Sequence, residues 1–189
     1  MQRFSQWLIR RSGSKTALLV LVLFLLFTGL VLPAQNEKFS ASGGDRSPDL
    51  SLFYSAADLL QMAEDYGPAG RAAYVQARIE FDILWPVVYG IFLCVGISWV
   101  LQRILPKNSP WRLLNLLPLL AVGFDFLENL CAAIAMHYYP QSPVWAVRLA
   151  PVFTPVKWLF VGGCFGILCV AFLVWVVKSI QKGMGAAKV

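Results

Sequence analysis

Four apolar stretches, each long enough to cross a lipid bilayer as a helix, decide what this chain can fold into. A hydrocarbon core about 30 Å thick requires roughly 20 apolar residues in helical form. The stretches cover residues 16–33, 82–102, 113–136 and 149–177. Because backbone groups inside lipid need partners within their own segment, we expect each stretch to be a helix. The sequence therefore predicts an all-α fold, a bundle of four transmembrane helices.

The composition excludes a soluble domain, and the distribution of charge predicts an orientation. Hydrophobic residues make up 58% of the 189 residues and charged residues only 14%. The net charge of +6 comes from Lys and Arg beside the apolar stretches, as in cytoplasmic loops, so we predict no nucleic-acid partner. Residues 1–15, 103–112 and 178–189 are predicted to be cytoplasmic, and residues 34–81 and 137–148 to lie outside. We expect a multi-pass protein of the plasma (inner) membrane with both termini in the cytoplasm.

The first apolar stretch follows basic residues, as the core of a secretory signal peptide does. Its apolar run over residues 17–32 is long for a signal core, and Leu32 is a poor cleavage-site residue. We therefore expect an uncleaved membrane anchor. Because this stretch carries no charge, its predicted role is packing or anchoring.

The first outside segment contains one clear helix signal. Ser55 and Asp58 form the pattern of a capping box, which starts a helix, and the apolar spacing predicts a short amphipathic helix at about 56–66. Gly67 and Pro68 are expected to end it and to begin a new helix that runs without a break into the second stretch. The short helix serves either as a lid or as a packing element.

Three polar residues lie close together inside the third apolar stretch: Asp125, Glu128 and Asn129. At about 100° per residue they share one face of a helix. Carboxyl groups inside a bilayer are costly unless they are paired, protonated or hydrated, which makes them functional-site candidates. We expect this face to point inward. Asp125 and Glu128 are the candidate catalytic residues, and Asn129 is a candidate ligand-binding residue.

Further polar residues are predicted to lie at the same depth, in the outer half of the bilayer. Lys157 lies about two helical turns inside the fourth stretch and is the expected partner of the acids. In the second stretch Asp82 and Tyr89 share one helix face, and Arg78 precedes Asp82 by one turn. Arg78 or Arg148 would supply a second positive charge. These five residues complete the candidate ligand-binding set.

The predicted cluster has more acids than bases. With three acids facing one lysine, a surplus carboxyl group is expected to hold its proton, because burial and like charge both disfavour ionisation. Such a group is a proton donor. The alternative remains open that the charges form a network that only fixes the register of the helices.

No motif in the sequence indicates a cofactor or a metal ion. It contains no HExxH zinc motif, phosphate-binding glycine loop or GxSxG elbow, and His137 alone cannot supply a bis-histidine haem site. Gly162 and Gly166 form a small-xxx-small pattern, which favours a second subunit, a complex partner or another helix on that face. Pro151 and Pro155 are expected to break or bend the outer end of the fourth stretch.

The chain resembles uncharacterised bacterial four-span integral membrane proteins. The residues that carry the likeness are Gly70-Arg71-Ala72-Ala73-Tyr74, then Asp82, Pro86 and Tyr89, then Asp125 with Glu128 and Asn129. A looser likeness is to EXPERA-domain proteins, small helical bundles whose intramembrane acids and aromatics line a pocket for sterol-like ligands. That resemblance implies a lipid-facing pocket lined by Asp82, Asp125, Glu128 and Asn129.

Together these patterns favour an acidic polar pocket in the outer half of the bilayer that binds a small amphipathic molecule or a lipid headgroup. Whether the protein is an enzyme stays open; Asp125 and Glu128 as acid and base would suit isomerisation or hydrolysis of a lipid-like substrate. One alternative is a proton- or cation-coupled transporter, which requires a polar route past Asn115 to the cytoplasm. Another is an accessory subunit of a membrane complex.

Overall fold

The computed structural model describes residues 1–34, 47–48 and 51–186, and these residues are helical with short connections and contain no strand. The helices are α1 (Gln2–Arg11), α2 (Ser14–Leu26), α3 (Ala56–Asp65), α4 (Gly67–Glu80), α5 (Leu84–Ile104), α6 (Leu117–His137) and α7 (Val144–Ala186). A π-helical turn (Phe27–Val31) extends α2, and a 3₁₀ helix (Pro110–Leu116) leads into α6. The all-α fold class is confirmed for the described residues.

Four helical stretches are long and apolar enough to cross a membrane, in agreement with the four predicted windows: Ser14–Ala34, Gly67–Ile104, Pro110–His137 and Val144–Met184. By length and composition this is an integral membrane protein. Residues 35–46 of the first long connection lie outside the described residues.

The amphipathic helix α3 begins and ends where the sequence predicts. The Ser55 hydroxyl accepts a hydrogen bond from the Asp58 amide at 3.1 Å, and the Asp58 carboxylate accepts one from the Ser55 amide at 2.8 Å. This reciprocal pair is the predicted capping box. Gly67 has φ +61, a conformation that L side chains rarely adopt, and Pro68 lies in the first turn of α4.

The structure differs from the sequence analysis at two points of helix continuity. A turn at residues 81–83 separates α4 from α5. Pro86 has no N–H to bond the Asp82 carbonyl, and the Asp82 amide bonds to the Ala77 carbonyl at 3.2 Å, one residue farther back than in an α-helix. In contrast, α7 continues as one helix through Pro151 and Pro155, so of the expected break or bend the break does not occur.

Buried apolar side chains form two cores at different heights along α6 and α7. The first, here called the α3-side core, joins α3 and α4 to the later half of α6 and the start of α7 and contains Leu59, Met62, Ala63, Tyr66, Tyr74, Cys131, Ala132, Ala135, Met136, Val147 and Ala150. The second, the central core, joins α5 to the start of α6 and the middle of α7 and contains Tyr89, Phe92, Leu93, Ile97, Val100, Leu101, Ala121, Cys164 and Ala171. The polar residues of α6 and α7 lie between the two.

A glycine permits the close approach of α5 and α6 beside those polar residues. A Cβ atom added to Gly90 would lie only 2.5 Å from Cγ2 of Val122. Tyr89 neighbours Gly90, and Asp125 lies one turn beyond Val122. The close approach therefore brings the Tyr89 hydroxyl within reach of Asp125.

The N-terminal helix α1 is a feature that the sequence analysis missed, since residues 1–15 were predicted only as a basic segment. The buried Ser5 hydroxyl donates to Asn115 Oδ1 at 2.8 Å, and Asn115 Nδ2 donates to the Ser5 carbonyl at 3.2 Å and to the Ser98 hydroxyl at 2.9 Å. Gln102 Nε2 donates to the Ser12 carbonyl at 2.8 Å. These bonds attach α1 to α5 and the 3₁₀ helix, at the end of the molecule away from α3.

Candidate functional site

The polar face of α6 turns inward, as the sequence predicts. Asp125, Glu128 and Asn129 are 6%, 0% and 6% exposed, whereas the intervening Phe126 and Leu127 are 37% and 42% exposed. The helix therefore presents apolar side chains to its surroundings and buries its polar ones against α5 and α7.

Lys157 of α7 lies between the two carboxyl groups of α6. Its ammonium forms an ion pair with Glu128 Oε2 and lies 3.9 Å from Asp125 Oδ1. Lys157 is 5% exposed. The expected partnership of this lysine with both acids is confirmed, and one positive charge faces two carboxyl groups at the centre of the site.

Asp125 has two neutral hydrogen-bond donors besides the lysine. The Tyr89 hydroxyl donates to Oδ2 at 2.8 Å, and Asn129 Nδ2 donates to Oδ1 at 2.8 Å. Both bonds fix the orientation of the carboxylate. Three helices thus contribute to this part of the site, α5 through Tyr89, α6 through Asp125 and Asn129, and α7 through Lys157.

From Asn129 the network extends to the edge of the site. Arg78 Nη1 donates to Asn129 Oδ1 at 3.3 Å and forms an ion pair with Asp82 at 2.8 Å. The Arg78 guanidinium also lies 4.3 Å from the centre of the Tyr74 ring. The side chains of Arg78 and Asp82 are 10% and 12% exposed. They form a rim that is more open than the buried centre.

Two site residues were missed in the sequence analysis. The Thr154 hydroxyl donates to Glu128 Oε1 at 2.6 Å, and its oxygen lies 3.1 Å from the hydroxyl of Tyr54. The same hydroxyl lies 3.0 Å from the Ala150 carbonyl, so its one hydrogen has three acceptors within reach. Thr154 precedes Lys157 by one helical turn, a spacing that was a usable signal. Tyr54 lies in an irregular segment and gave none.

Arg148 is the predicted site residue that the structure does not bring to the cluster. It is exposed on α7, and nine residues at about 100° each place it on the opposite side of the helix from Lys157. Arg78 therefore supplies the second positive charge. We refer to Tyr54, Arg78, Asp82, Tyr89, Asp125, Glu128, Asn129, Thr154 and Lys157 together as the acidic cluster.

The chemistry of the acidic cluster follows from its charges. It contains three carboxyl groups, one lysine and one arginine, so its fully ionised form carries one net negative charge. Such a group can exchange a proton or bind a cationic or hydrogen-bond-donating head group. Within residues 1–34, 47–48 and 51–186, no three His, Cys, Asp or Glu residues are grouped so that they would hold a metal ion.

The fold and the cluster define a class, an integral membrane protein with a buried, acid-rich polar layer between two apolar cores. No protein-family model matches the chain, and neither a characterised protein nor a solved structure is significantly similar to it.

Proposed function

We propose that this protein binds the polar head of a small amphipathic molecule or a membrane lipid at the acidic cluster. The observation that carries the proposal is the enclosure of Lys157 by Asp125 and Glu128. Two acids against one lysine, away from water, retain a negative charge or a proton that a ligand with an amine or hydroxyl group would match.

The surroundings of the acidic cluster support entry of the ligand from the end that carries α3 and the rim. The rim residues Arg78 and Asp82 are partly exposed, and α3 packs over α6 and α7 on that side. Tyr54, which precedes α3, contacts Thr154. A movement of α3 would thus reach Glu128 through Thr154. We propose α3 as the lid of the site and the rim at Arg78 and Asp82 as its lateral opening.

We also propose that the four spans form a bundle in the inner membrane with α3 outside and both termini in the cytoplasm. An introduced thiol at the exposed position Ala57 should then react with a membrane-impermeant reagent in intact cells, and one at Asn108 only after lysis. The background carries Cys169→Ala, because Cys169 is the exposed one of four cysteines. If the thiol of Asn108→Cys reacted in intact cells and that of Ala57→Cys did not, the topology would be the reverse of the one proposed.

The decisive test of the function is ligand retention. Asp125→Asn and Glu128→Gln keep the shape of each side chain but remove its charge, so we expect the amount of co-purifying amphipathic ligand to fall about tenfold, as for loss of one charged contact. Native mass spectrometry of the purified protein measures the retained molecules, and thermal unfolding measures stability in the same samples.

Ser98→Ala is the matched control for that test. It removes a buried hydrogen bond to Asn115 without touching the acidic cluster, so it should lower the melting temperature and leave ligand retention unchanged. If all three variants lose stability and keep every co-purifying molecule, the cluster is a structural network and the proposed function is wrong.

Acid and base chemistry by Asp125 and Glu128 on a lipid-like substrate is an extension of the same proposal. Transport is less well supported, because a polar route to the other end would have to pass the central core, where Leu93, Ile97 and Ala121 are fully buried.

Association through Gly162 and Gly166 also stays a proposal, as does the likeness to bacterial four-span proteins. Both glycines are exposed, with open space where a Cβ would lie.

A further inference from the structure

A groove lies at the end of the molecule opposite α3, between α1 and the segment that joins α5 to the 3₁₀ helix. Its volume is about 860 Å³, large enough for a lipid headgroup and part of its glycerol backbone. Residues of α1 form one wall, residues 105–110 form the other, and Gln102, Arg112 and Leu113 complete the lining. The acidic cluster contributes nothing to it.

The lining of this groove is cationic. It contains Arg10, Lys107 and Arg112, several amide side chains and no aspartate or glutamate. The Arg112 guanidinium is held in place because Nη2 donates to the Leu105 carbonyl at 2.8 Å and to the Gln102 carbonyl at 3.3 Å. Three positive charges without an acid attract an anion, and the amides add hydrogen-bond donors.

The position of aromatic residues indicates that the groove opens at a membrane surface. The rings of Phe4 and Trp7 on α1 stack with their centres 5.8 Å apart, and each side chain is 46% exposed. Trp111, beside the groove, is 64% exposed. Exposed aromatics next to basic residues are typical of helices that lie in the headgroup region. Ile9 and Leu113 add apolar lining between the charges.

We propose that this groove binds the phosphate-bearing headgroup of an anionic membrane lipid, from the leaflet on the α1 side. Arg10 and Lys107 would contact the phosphate, and Arg112 would hold the wall in place through its bonds to the Leu105 and Gln102 carbonyls. The lipid is favoured over a free phosphate ion because apolar lining and exposed aromatics accompany the cations. The site is independent of the acidic cluster and of its proposed ligand.

Two paired variants test the site in the full-length protein in detergent. R10Q/K107Q removes two groove cations, and R3Q/K15Q removes two basic residues of the same end that do not line the groove. Since a hydrogen bond contributes about 1 kcal/mol net, loss of one phosphate contact from each of Arg10 and Lys107 should weaken phosphatidylglycerol binding about thirtyfold in R10Q/K107Q. R3Q/K15Q should change it by less than about threefold, as expected for screened charges outside the site.

Binding is measured by thermal shift and native mass spectrometry with phosphatidylglycerol, phosphatidylcholine and inorganic phosphate. The proposal is supported if phosphatidylglycerol raises the melting temperature while phosphatidylcholine and inorganic phosphate do not, and if R10Q/K107Q loses this effect. Equal weakening in both double variants would show general attraction to anionic lipid, and equal protection by inorganic phosphate would show a free-anion site; either result overturns it. If R10Q/K107Q does not fold, K107Q, altered at an exposed turn residue, carries the same comparison against K15Q.

Discussion

Replacing Lys157 by methionine is expected to lower the free energy of unfolding by about 3–5 kcal/mol, the range found when one member of a buried ion pair is removed. Lys157 is enclosed by Glu128 and Asp125. Without its ammonium, the two carboxyl groups would face each other in an apolar environment with no neighbouring lysine. Denaturant unfolding in detergent measures the loss. Lys182→Met is the control, because Lys182 is exposed on the same helix and should change stability little.

Removing an acid together with the lysine should recover part of that loss, and the two acids should differ. Glu128 pairs directly with Lys157, whereas Asp125 lies farther from it and keeps hydrogen bonds from Tyr89 and Asn129. We therefore expect K157M/E128Q to be more stable than K157M, with a coupling energy of about 0.5–3 kcal/mol, and K157M/D125N to recover less. Additive losses in both double variants would contradict an electrostatically coupled cluster.

The parts of this structure that depend on local periodicity could be predicted from the sequence. The apolar windows gave the spanning helices because a bilayer sets their minimum length. The spacing of Asp125, Glu128 and Asn129 gave one buried face, since a helix turns by a fixed angle per residue. Depth within the spans then indicated Lys157 as the partner. The separation of Arg78 and Asp82 by one helical turn was compatible with the ion pair that the structure shows.

The remaining parts depend on how helices are rotated and offset against each other, which one sequence does not specify. Arg148 was assigned to the site by depth alone, but it lies on the outer side of α7. Thr154 lies on the inner side, one turn from Lys157, and was missed although its spacing was available. Tyr54 reaches the site from a segment without periodicity. Only tertiary packing decides such contacts.

The acidic cluster and the polar residues around Asn115 are separate networks, which argues against a continuous polar route for transport. The acidic cluster lies between the apolar cores, whereas at the other end Asn115 bonds to Ser5 of α1 and to Ser98 of α5. The transporter alternative requires a polar route past Asn115. In the structure its amide oxygen and both amide hydrogens are bonded to α1 and α5. Asn115 thus acts as the attachment point of α1, with the central core between it and the cluster.

Replacing Asn115 by leucine should therefore detach α1 and cost about 2–4 kcal/mol of unfolding free energy. The side chain is fully buried and makes three hydrogen bonds, two with Ser5 and one with Ser98. Leucine would leave the Ser5 carbonyl and the hydroxyls of Ser5 and Ser98 without this partner, at about 1–3 kcal/mol for each group that stays buried. Hydrogen exchange of the α1 amides, together with thermal unfolding, measures both effects.

The location of the loss distinguishes this attachment from a general destabilisation. Local opening should raise amide exchange in α1 at least about tenfold while the amides of α6 near Asp125 keep their protection, because the two sites are separated by the central core. Asn108→Leu is the matched control, since Asn108 is an exposed turn residue and should leave α1 protected. If Asn115→Leu raised amide exchange equally in α1, α5 and α6, Asn115 would stabilise the whole bundle. Its assignment as the attachment point of α1 would then be wrong.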